Sequence, residues 1–412
     1  MAANSMTPME RPPGNAVGIV ANPLAGKDLR RLTSGATPVS DAVKIGTIRR
    51  AVVGAVEGGA SRVLISGDRA RLGERALAGL RLPPTGEGSG SAVPHTEVLA
   101  AHGWHTGRDS QLAAAQFRDQ GVGAVIALGG DGTQRDVAKG WRDVPLVPLA
   151  VGTNNVFPLQ LEATVAGFAA GAVASGWAGV AEVTSQAKII DVTLEAEPEG
   201  EAVARTAREP NRTRIGEQER EATGAAARSL VSSRMPVEGS SHADVALVDV
   251  CLVRGSFVGA RAVWESASVS EIVAAIAEPD SVGLSAIAAA VVPVRRHETG
   301  AAHVRLGCTP GSGSAPGGRR IRAAVMPGSY SDIDIALCER LAFGQPVTLR
   351  GPGVLALDGE REIVLGAGER ATITVNPDGP HVIDVGAAVA AAQRRRYPFS
   401  PAPAGRGDFD GR

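Results

Sequence analysis

A glycine turn that carries a carboxylate is the part of the chain best suited to chemistry. The run GGDGT at positions 129–133 directly follows the apolar stretch 124–128. Glycines permit positive φ and have no Cβ, so backbone N–H groups can converge there on an anion at the start of a helix predicted over 133–139. A carboxylate repels phosphate unless it binds a metal or accepts a proton from an attacking hydroxyl. The turn therefore predicts phosphoryl transfer with Asp131 as the catalytic residue, although Asp is also common in turns for its own hydrogen bonds.

A second polar turn follows about twenty residues later, a spacing typical of one helix plus one strand. A strand predicted over 146–150 runs into GTNN at 152–155, whose paired amides suit hydrogen bonds to the ribose or base of a nucleotide. An ordinary asparagine turn is the alternative. Thr133 is expected either to contact a phosphate or to serve as a simple helix N-cap, and one residue can do both.

Asn22 and Lys27 follow the first predicted strand, 16–20. A lysine there can neutralise phosphate charge, and a solvated surface cation is the alternative. In doubly wound sheets, ligands bind beyond the carboxyl ends of the strands. We therefore expect Asn22 and the two turns to share one site.

The two turns together resemble the superfamily that joins NAD kinases with diacylglycerol and sphingosine kinases. Four segments narrow the resemblance to the acetoin catabolism protein X branch of the ATP-NAD kinase group, over residues 15 to 390: NPLAGKDLRR at 22–31, GTNNVFP at 152–158, VGARAVW at 258–264 and LDGERE at 357–362.

This resemblance implies an ATP-dependent kinase that moves a phosphoryl group from ATP, with Mg²⁺, to the ribose 2′-hydroxyl of NAD. In this scheme Asp131 activates the hydroxyl, the glycine turn holds phosphates and the asparagines orient the dinucleotide. Because related enzymes are commonly homo-oligomers, the resemblance also implies a homo-oligomer. The expected nucleotide-binding residues are Asn22, Lys27, Gly129, Gly130, Gly132, Thr133, Gly152, Thr153, Asn154 and Asn155.

A further acidic element lies at Asp358-Gly359-Glu360. It resembles the aspartate-glycine-glutamate element of lipid kinases, which implies a metal-linked role for Asp358 and Glu360. Asp-Gly is equally the strongest short hairpin signal, so a plain hairpin is the alternative. If Glu360 faces the site, it forms a carboxylate pair with Asp131 that divides metal binding and proton removal.

Two segments depart from the NAD kinase pattern and leave the acceptor open. Leu247-Val248-Asp249-Val250 stands where those enzymes have an asparagine-glutamate pair, and 283–286 is only a loose counterpart of their threonine-proline-threonine-glycine-serine segment. Two alternatives to an NAD kinase follow. One is a lipid or small-alcohol kinase of the diacylglycerol kinase type, and the other is a non-catalytic nucleotide-binding accessory protein of acetoin catabolism.

Composition excludes several classes of protein. A net charge of −1 provides no field that attracts nucleic acid or anionic lipid. Three scattered cysteines without a C-x-x-C pair indicate neither a disulfide framework nor a zinc site. No segment has the apolar length of a membrane span or the pattern of a signal peptide. We therefore expect no nucleic-acid partner, no membrane span and a cytoplasmic location, while the resemblance implies nucleotide substrates.

The pattern of predicted elements favours two domains, as does the length of 412 residues. Strands and helices alternate at first, which is typical of a doubly wound, Rossmann-like α/β fold, and strands dominate later, including one predicted over 243–253. The predicted parts are an α/β nucleotide-binding domain at 15–160, a β-rich domain at 161–376 with a mobile insertion at about 198–241, a C-terminal helix at 377–397 that returns to the first domain, and a flexible tail at 398–412, as in NAD kinase and diacylglycerol kinase-like folds.

Overall fold

The structure is a computed structural model that describes residues 15–26, 39–83, 94–152, 155–195, 242–254, 268–307, 319–326 and 328–396. The predicted insertion and tail lie outside the described residues, as do Lys27, Thr153 and Asn154.

The described strands, in chain order, are β1 (Ala16–Ala21), β2 (Arg62–Ile65), β3 (His95–Val98), β4 (Ala124–Gly129), β5 (Pro145–Ala150), β6 (Thr184–Gln186), β7 (Ile189–Glu195), β8 (His242–Ala246), β9 (Asp249–Val253), β10 (Val269–Ala274), β11 (Ala301–Leu306), β12 (Arg319–Met326), β13 (Ser329–Leu341), β14 (Pro346–Arg350), β15 (Gly353–Leu357), β16 (Glu360–Leu365), β17 (Arg370–Asn376) and β18 (His381–Ile383). The described helices are α1 (Asp41–Glu57), α2 (Leu72–Leu77), α3 (Gly107–Asp119), α4 (Asp131–Gly140), α5 (Ala163–Ala174), α6 (Val180–Val183), α7 (Ser285–Ala289) and α8 (Val385–Arg396).

The first sheet has the strand order β3-β2-β1-β4-β5-β18-β6. Neighbours from β3 to β18 are parallel, and only β6 runs antiparallel. Every residue of β1 and β4 is buried, which explains their uninterrupted apolar sequences. The strand order reverses direction between β1 and β4, so this sheet confirms the doubly wound fold and places its switch point at the carboxyl ends of these two strands.

Helices cover both faces of this sheet. One core cluster joins the sheet to α1, α2, α5 and α8, and the other joins it to α3 and α4. The chain thus returns to the first sheet at its end through β18 and α8. Helix α5 also packs on this sheet, beyond the boundary predicted at residue 160, and the domain boundaries stay a prediction.

The remaining strands form two antiparallel sheets that pack face to face. A seven-stranded sheet has the order β12-β13-β11-β10-β9-β15-β16, and a four-stranded sheet has the order β14-β17-β7-β8. The core between them takes apolar side chains from both, including Ile190 and Val192 of β7 and Leu252 of β9. These sheets are the β-rich part that the sequence predicts.

The single strand predicted over 243–253 is wrong. The chain divides there into β8, which pairs with β7, and β9, which pairs with β10 and β15 in the other sheet. The break lies at Leu247 and Val248, whose backbone N–H groups bind a side chain instead of a neighbouring strand. None of the helices among the described residues is long and apolar enough to cross a membrane.

Candidate active site

The turn between β4 and α4 differs in detail from its prediction. Helix α4 begins at Asp131 rather than at residue 133, with Gly130 as its N-cap at φ −93°. Gly129, Gly130 and Gly132 do not adopt the positive φ that glycine permits. Close neighbours rather than backbone conformation favour glycine at 129 and 130. A Cβ on Gly129 would lie 2.3 Å from the Thr133 Oγ1, and a Cβ on Gly130 would lie 2.9 Å from the Asn155 Oδ1.

Asn22 joins the end of β1 to the start of α4. Its Nδ2 donates to the Thr133 Oγ1 at 3.0 Å, while its Oδ1 accepts from the backbone N–H of Leu24 at 2.8 Å. Thr133 is buried, and Gly130 takes the N-cap position that was the alternative for Thr133. Two of the predicted binding residues are therefore in direct contact at the switch point.

Asp131 connects the two polar turns. Its Oδ1 accepts from the backbone N–H of Phe157 at 2.8 Å and of Val156 at 3.1 Å. In the same turn Gly152 has φ +103°, and its carbonyl accepts from the Asn155 Nδ2 at 3.4 Å. The structure thus brings Asp131, Asn155 and Gly152 together.

The Asp358-Gly359 pair forms a two-residue hairpin turn between β15 and β16, in which Leu357 pairs with Glu360. Both turn residues have positive φ, at +50° and +78°, as a type I′ turn requires. The hairpin alternative is confirmed. The same turn carries Glu360 to the first domain, since a Cβ on Gly132 would lie 3.3 Å from the Glu360 Oε1.

The buried Asp358 carboxylate faces the backbone at the break between β8 and β9. It accepts N–H groups from Leu247 at 3.0 Å, Val248 at 2.8 Å and Asp249 at 3.3 Å. Burial raises the pKa of Asp358 to about 7, and the Asp131 charge adds to this, against the lowering effects of Arg135 and the Val248 N–H. Among the described residues, no three His, Cys, Asp or Glu side chains are grouped to hold a metal ion. The metal role of Asp358 and Glu360 stays a prediction.

Arg135 is a site residue that sequence reasoning missed. It is 2% exposed, donates to the Leu357 carbonyl, and lies with its Nη2 3.6 Å from the Glu360 Oε2. This cation therefore fastens α4 to the hairpin and holds Glu360 beside Gly132. A signal was available, since residues four apart on a helix share a face and Arg135 lies four residues after Asp131.

Two family models and one relative match the sequence of this chain. The model of the ATP-NAD kinase N-terminal domain matches residues 78–170, and that of the acetoin catabolism protein X C-terminal domain matches residues 234–378. Acetoin catabolism protein X of Cupriavidus necator is 30% identical over 393 residues, which cover 95% of this chain and 96% of that protein.

Two solved structures are also similar in part. A yeast NADH kinase complexed with NADH has a TM-score of 0.46 at 11% identity, covering 96% of this chain and 91% of its own. A putative diacylglycerol kinase from Bacillus anthracis has a TM-score of 0.34 at 11% identity, and the match covers 89% of this chain and 96% of that protein. On the sequence matches, the chain belongs to the acetoin catabolism protein X family, and its residues 78–170 match the ATP-NAD kinase N-terminal domain.

Proposed function

We propose that this protein is an ATP-dependent kinase that phosphorylates the ribose 2′-hydroxyl of NAD to give NADP. The observation that carries the proposal is the contact of Asp131 with the N–H groups of Val156 and Phe157, at 3.1 and 2.8 Å. This contact joins the two turns of the ATP-NAD kinase resemblance at the switch point, where doubly wound folds bind ligands.

The start of α4 is suited to phosphate. Its first N–H groups and the positive end of its dipole lie at the carboxyl edge of the first sheet, where the absence of Cβ atoms lets Thr133 and Asn155 pack close to the turn. Asn22 and Thr133 hold this turn against β1 through their hydrogen bond. Most of the rate gain in phosphoryl transfer comes from such positioning and from charge neutralisation.

In the proposed reaction, Asp131 accepts the proton of the attacking hydroxyl at a carboxylate oxygen. Two backbone donors orient this carboxylate, which reduces the reorganisation needed during the reaction. Because Asp131 belongs to the first turn of α4, the base and the phosphate-binding N–H groups share one rigid element.

The residues present fit the Mg²⁺ that the kinase family implies. Proteins hold Mg²⁺ by one or two carboxylates together with substrate phosphates. Glu360 would supply such a carboxylate, since it lies against Gly132, the neighbour of the base Asp131. Asp358 fits less well, because its carboxylate already accepts three backbone N–H groups. When bound, Mg²⁺ neutralises phosphate charge.

The deciding experiment incubates the purified protein with ATP, Mg²⁺ and NAD and measures NADP. We expect Asp131→Asn to lower kcat by about 10²- to 10⁴-fold while nucleotide binding is kept, since it removes the base and preserves the shape. Asp109→Asn is the matched control, because Asp109 also accepts two successive backbone N–H groups, from Trp104 and His105, at an exposed helix start. Unchanged NADP formation in Asp131→Asn would remove Asp131 from the mechanism.

A lipid or small-alcohol acceptor is the second candidate. It is favoured by the approach of Glu360 to Gly132, because the hairpin resembles an element of lipid kinases. A screen of acceptors with labelled ATP separates the two, and label found only in a lipid would overturn the NAD assignment. Calorimetric binding of ATP or NAD without turnover would instead select a non-catalytic accessory protein.

On the family resemblance we also propose a homo-oligomer located in the cytoplasm, with nucleotide substrates and no nucleic-acid partner. Light scattering of the purified protein tests the oligomeric state, and a mass equal to one chain would contradict it.

A further inference from the structure

The Val156–Phe157 segment is held from both sides by charged groups. It lies outside the strands and helices, so its peptide groups have no ladder partners. Its N–H groups bind the carboxylate of Asp131, and its carbonyl groups bind the guanidinium of Arg296, at 2.9 Å for Val156 and 3.3 Å for Phe157. The peptide group that joins Val156 to Phe157 is bound by Asp131 at its N–H and by Arg296 at its carbonyl, so both charges polarise it, which strengthens both hydrogen bonds.

Arg296 reaches this segment from the second domain, 140 residues away from Val156 in sequence. Its own position is set by Glu278, whose carboxylate accepts from the Arg296 Nη2 at 3.2 Å, from the Nε at 3.4 Å and from the backbone N–H at 3.2 Å. The two residues flank the bridge between Ala277 and Val294, whose reciprocal N–H···O bonds fix the local backbone. Planar guanidinium groups with several donors are well suited to join a carboxylate and two carbonyls at once.

We propose that Arg296 is a positioning residue for the active site. It holds the carbonyl groups of Val156 and Phe157 so that the N–H groups of the same two residues hold Asp131 in its orientation at the start of α4. The second domain thereby controls the geometry of a carboxylate that belongs to the first. The effect of Arg296 on catalysis rests on the proposed kinase activity, whereas its effect on the Val156–Phe157 segment does not.

The structural consequence is tested by amide hydrogen exchange of residues 155–158. We expect Arg296→Gln to raise the exchange rate of the Val156 and Phe157 amides by about tenfold, the effect of losing a hydrogen bond to a charged group. Arg296→Lys, which keeps the charge and loses the fork of donors, is expected to raise it less. Arg340→Gln is the matched control, because Arg340 binds the Glu298 carboxylate and the Thr299 carbonyl in the same domain without touching this segment.

The link to Asp131 is tested by combining variants. Asp131→Asn alone is expected to raise the same two exchange rates, and the double variant with Arg296→Gln should exchange little faster than either single variant, because one loss already frees the segment. A double variant whose increase equals the product of the two single increases would show independent action and overturn the proposal. Unchanged exchange in a folded Arg296→Gln protein would overturn it as well.

The catalytic consequence is a fall in kcat of about tenfold in Arg296→Gln, with KM values for ATP and NAD within a factor of two, because orientation of the base changes and nucleotide contacts do not. The kcat of Glu278→Gln is expected to lie between that of Arg296→Gln and that of the unaltered protein. Glu278→Gln also replaces Arg296→Gln in the measurement if Arg296→Gln does not fold. If the unaltered protein has no kinase activity, the proposed function fails while the exchange measurements still decide the role of Arg296. If Arg340→Gln lowers kcat to the same extent, the loss reflects general destabilisation of the protein, and the proposal is contradicted.

Discussion

At the scale of single residues, two glycines of one turn are expected to respond to alanine in opposite ways. A Cβ at Gly129 would meet the Thr133 Oγ1 at 2.3 Å and the Thr133 Cβ at 2.4 Å, so the buried threonine must move. We expect Gly129→Ala to lower the free energy of unfolding by about 2–3 kcal/mol. A Cβ at Gly132 meets only the flexible end of Glu360 at 3.3 Å, and alanine gains up to about 1 kcal/mol of helix propensity. Urea denaturation measures both values, and equal losses would contradict the prediction.

Glu360 is expected to affect the metal requirement of the reaction. Its carboxylate lies between Gly132 and Arg135, so Glu360→Gln removes a negative charge beside the glycine turn at 129–133 and leaves the hairpin turn intact. We expect the Mg²⁺ concentration for half-maximal NADP formation to rise about tenfold.

Glu369→Gln is the control for this prediction. Glu369 accepts the backbone N–H of Gly366 at 2.7 Å in the exposed turn after β16. Glu369→Gln therefore makes the same chemical change at the other end of β16, away from the site. An unchanged Mg²⁺ requirement in Glu360→Gln would show that this carboxylate only partners Arg135.

At the scale of elements, helices α1 and α5 approach closely through glycines. A Cβ at Gly54 would lie 2.0 Å from the Thr164 carbonyl oxygen, which is backbone and cannot turn away. We expect Gly54→Ala to cost about 3 kcal/mol of stability through separation of the two helices. Gly46→Ala in the same helix is the control, since its Cβ meets only the mobile Arg50 guanidinium at 3.5 Å and should be neutral or stabilising. Denaturant midpoints that shift alike would contradict this account.

Elements buried on both faces were predictable from the sequence. Strands β1, β4 and β5 were expected within one residue of their observed bounds, because a strand covered on both faces is apolar throughout. Strand β13, from Ser329 to Leu341, gave no such signal. Buried Ile333 and Ile335 alternate with exposed Asp332 and Asp334 in its middle, but three exposed residues follow one another at 338–340, and its place depends on pairing with β11 and β12.

The site residues also fall into some that the sequence predicts and some whose contacts it does not. Asn22, Asp131 and the second turn could be predicted, since each follows an apolar strand and parallel strands end at one edge of the sheet. The sequence could place Arg135 on the same helix face as Asp131, but it could not show what Arg135 and Arg296 contact. Their partners lie more than a hundred positions away: Arg135 binds Leu357, and Arg296 binds Val156. Such contacts depend on how the β-rich part packs on the first sheet, which local patterns do not encode.

At the scale of the whole molecule, charged side chains hold the two parts of the chain together. Arg142, which follows α4, donates to both oxygens of Asp191 on β7 at 2.8 and 2.9 Å and to Asp378 at 2.7 Å. Hydrogen bonds to Asp191 and Asp378 raise the pKa of Arg142, so this cation stays charged at every relevant pH. Together with Arg135 and Arg296, it makes the geometry of the active site depend on the contact between the first sheet and the β-rich part.

The stability of the whole molecule is expected to depend on pH through His303. This histidine is 6% exposed on β11, with its Nε2 2.8 Å from the Glu271 Oε1 and its Nδ1 2.7 Å from the Glu339 Oε1. Burial lowers the pKa of His303, but hydrogen bonds to the two carboxylates outweigh it, and the net shift is upward from 6.5. A group whose pKa is raised by folding stabilises the folded state fully below its unfolded pKa, and this stabilisation is lost as the pH rises through the folded pKa.

His303→Gln removes this charge and keeps a side chain that can hydrogen-bond. We expect its thermal midpoint to lie below that of the unaltered protein by at least about 2 °C near pH 5.5, and the difference to shrink at about pH 8.5. Asp358, whose pKa burial raises to about 7, also makes stability fall with rising pH, so the difference between the two proteins is the quantity that isolates His303. His95→Gln is the control, since His95 pairs with Glu97 at an exposed site where water screens the interaction, and its thermal midpoint should lie close to that of the unaltered protein. A His303→Gln difference that is constant across this range would show that packing, rather than the charge between Glu271 and Glu339, accounts for the stabilisation.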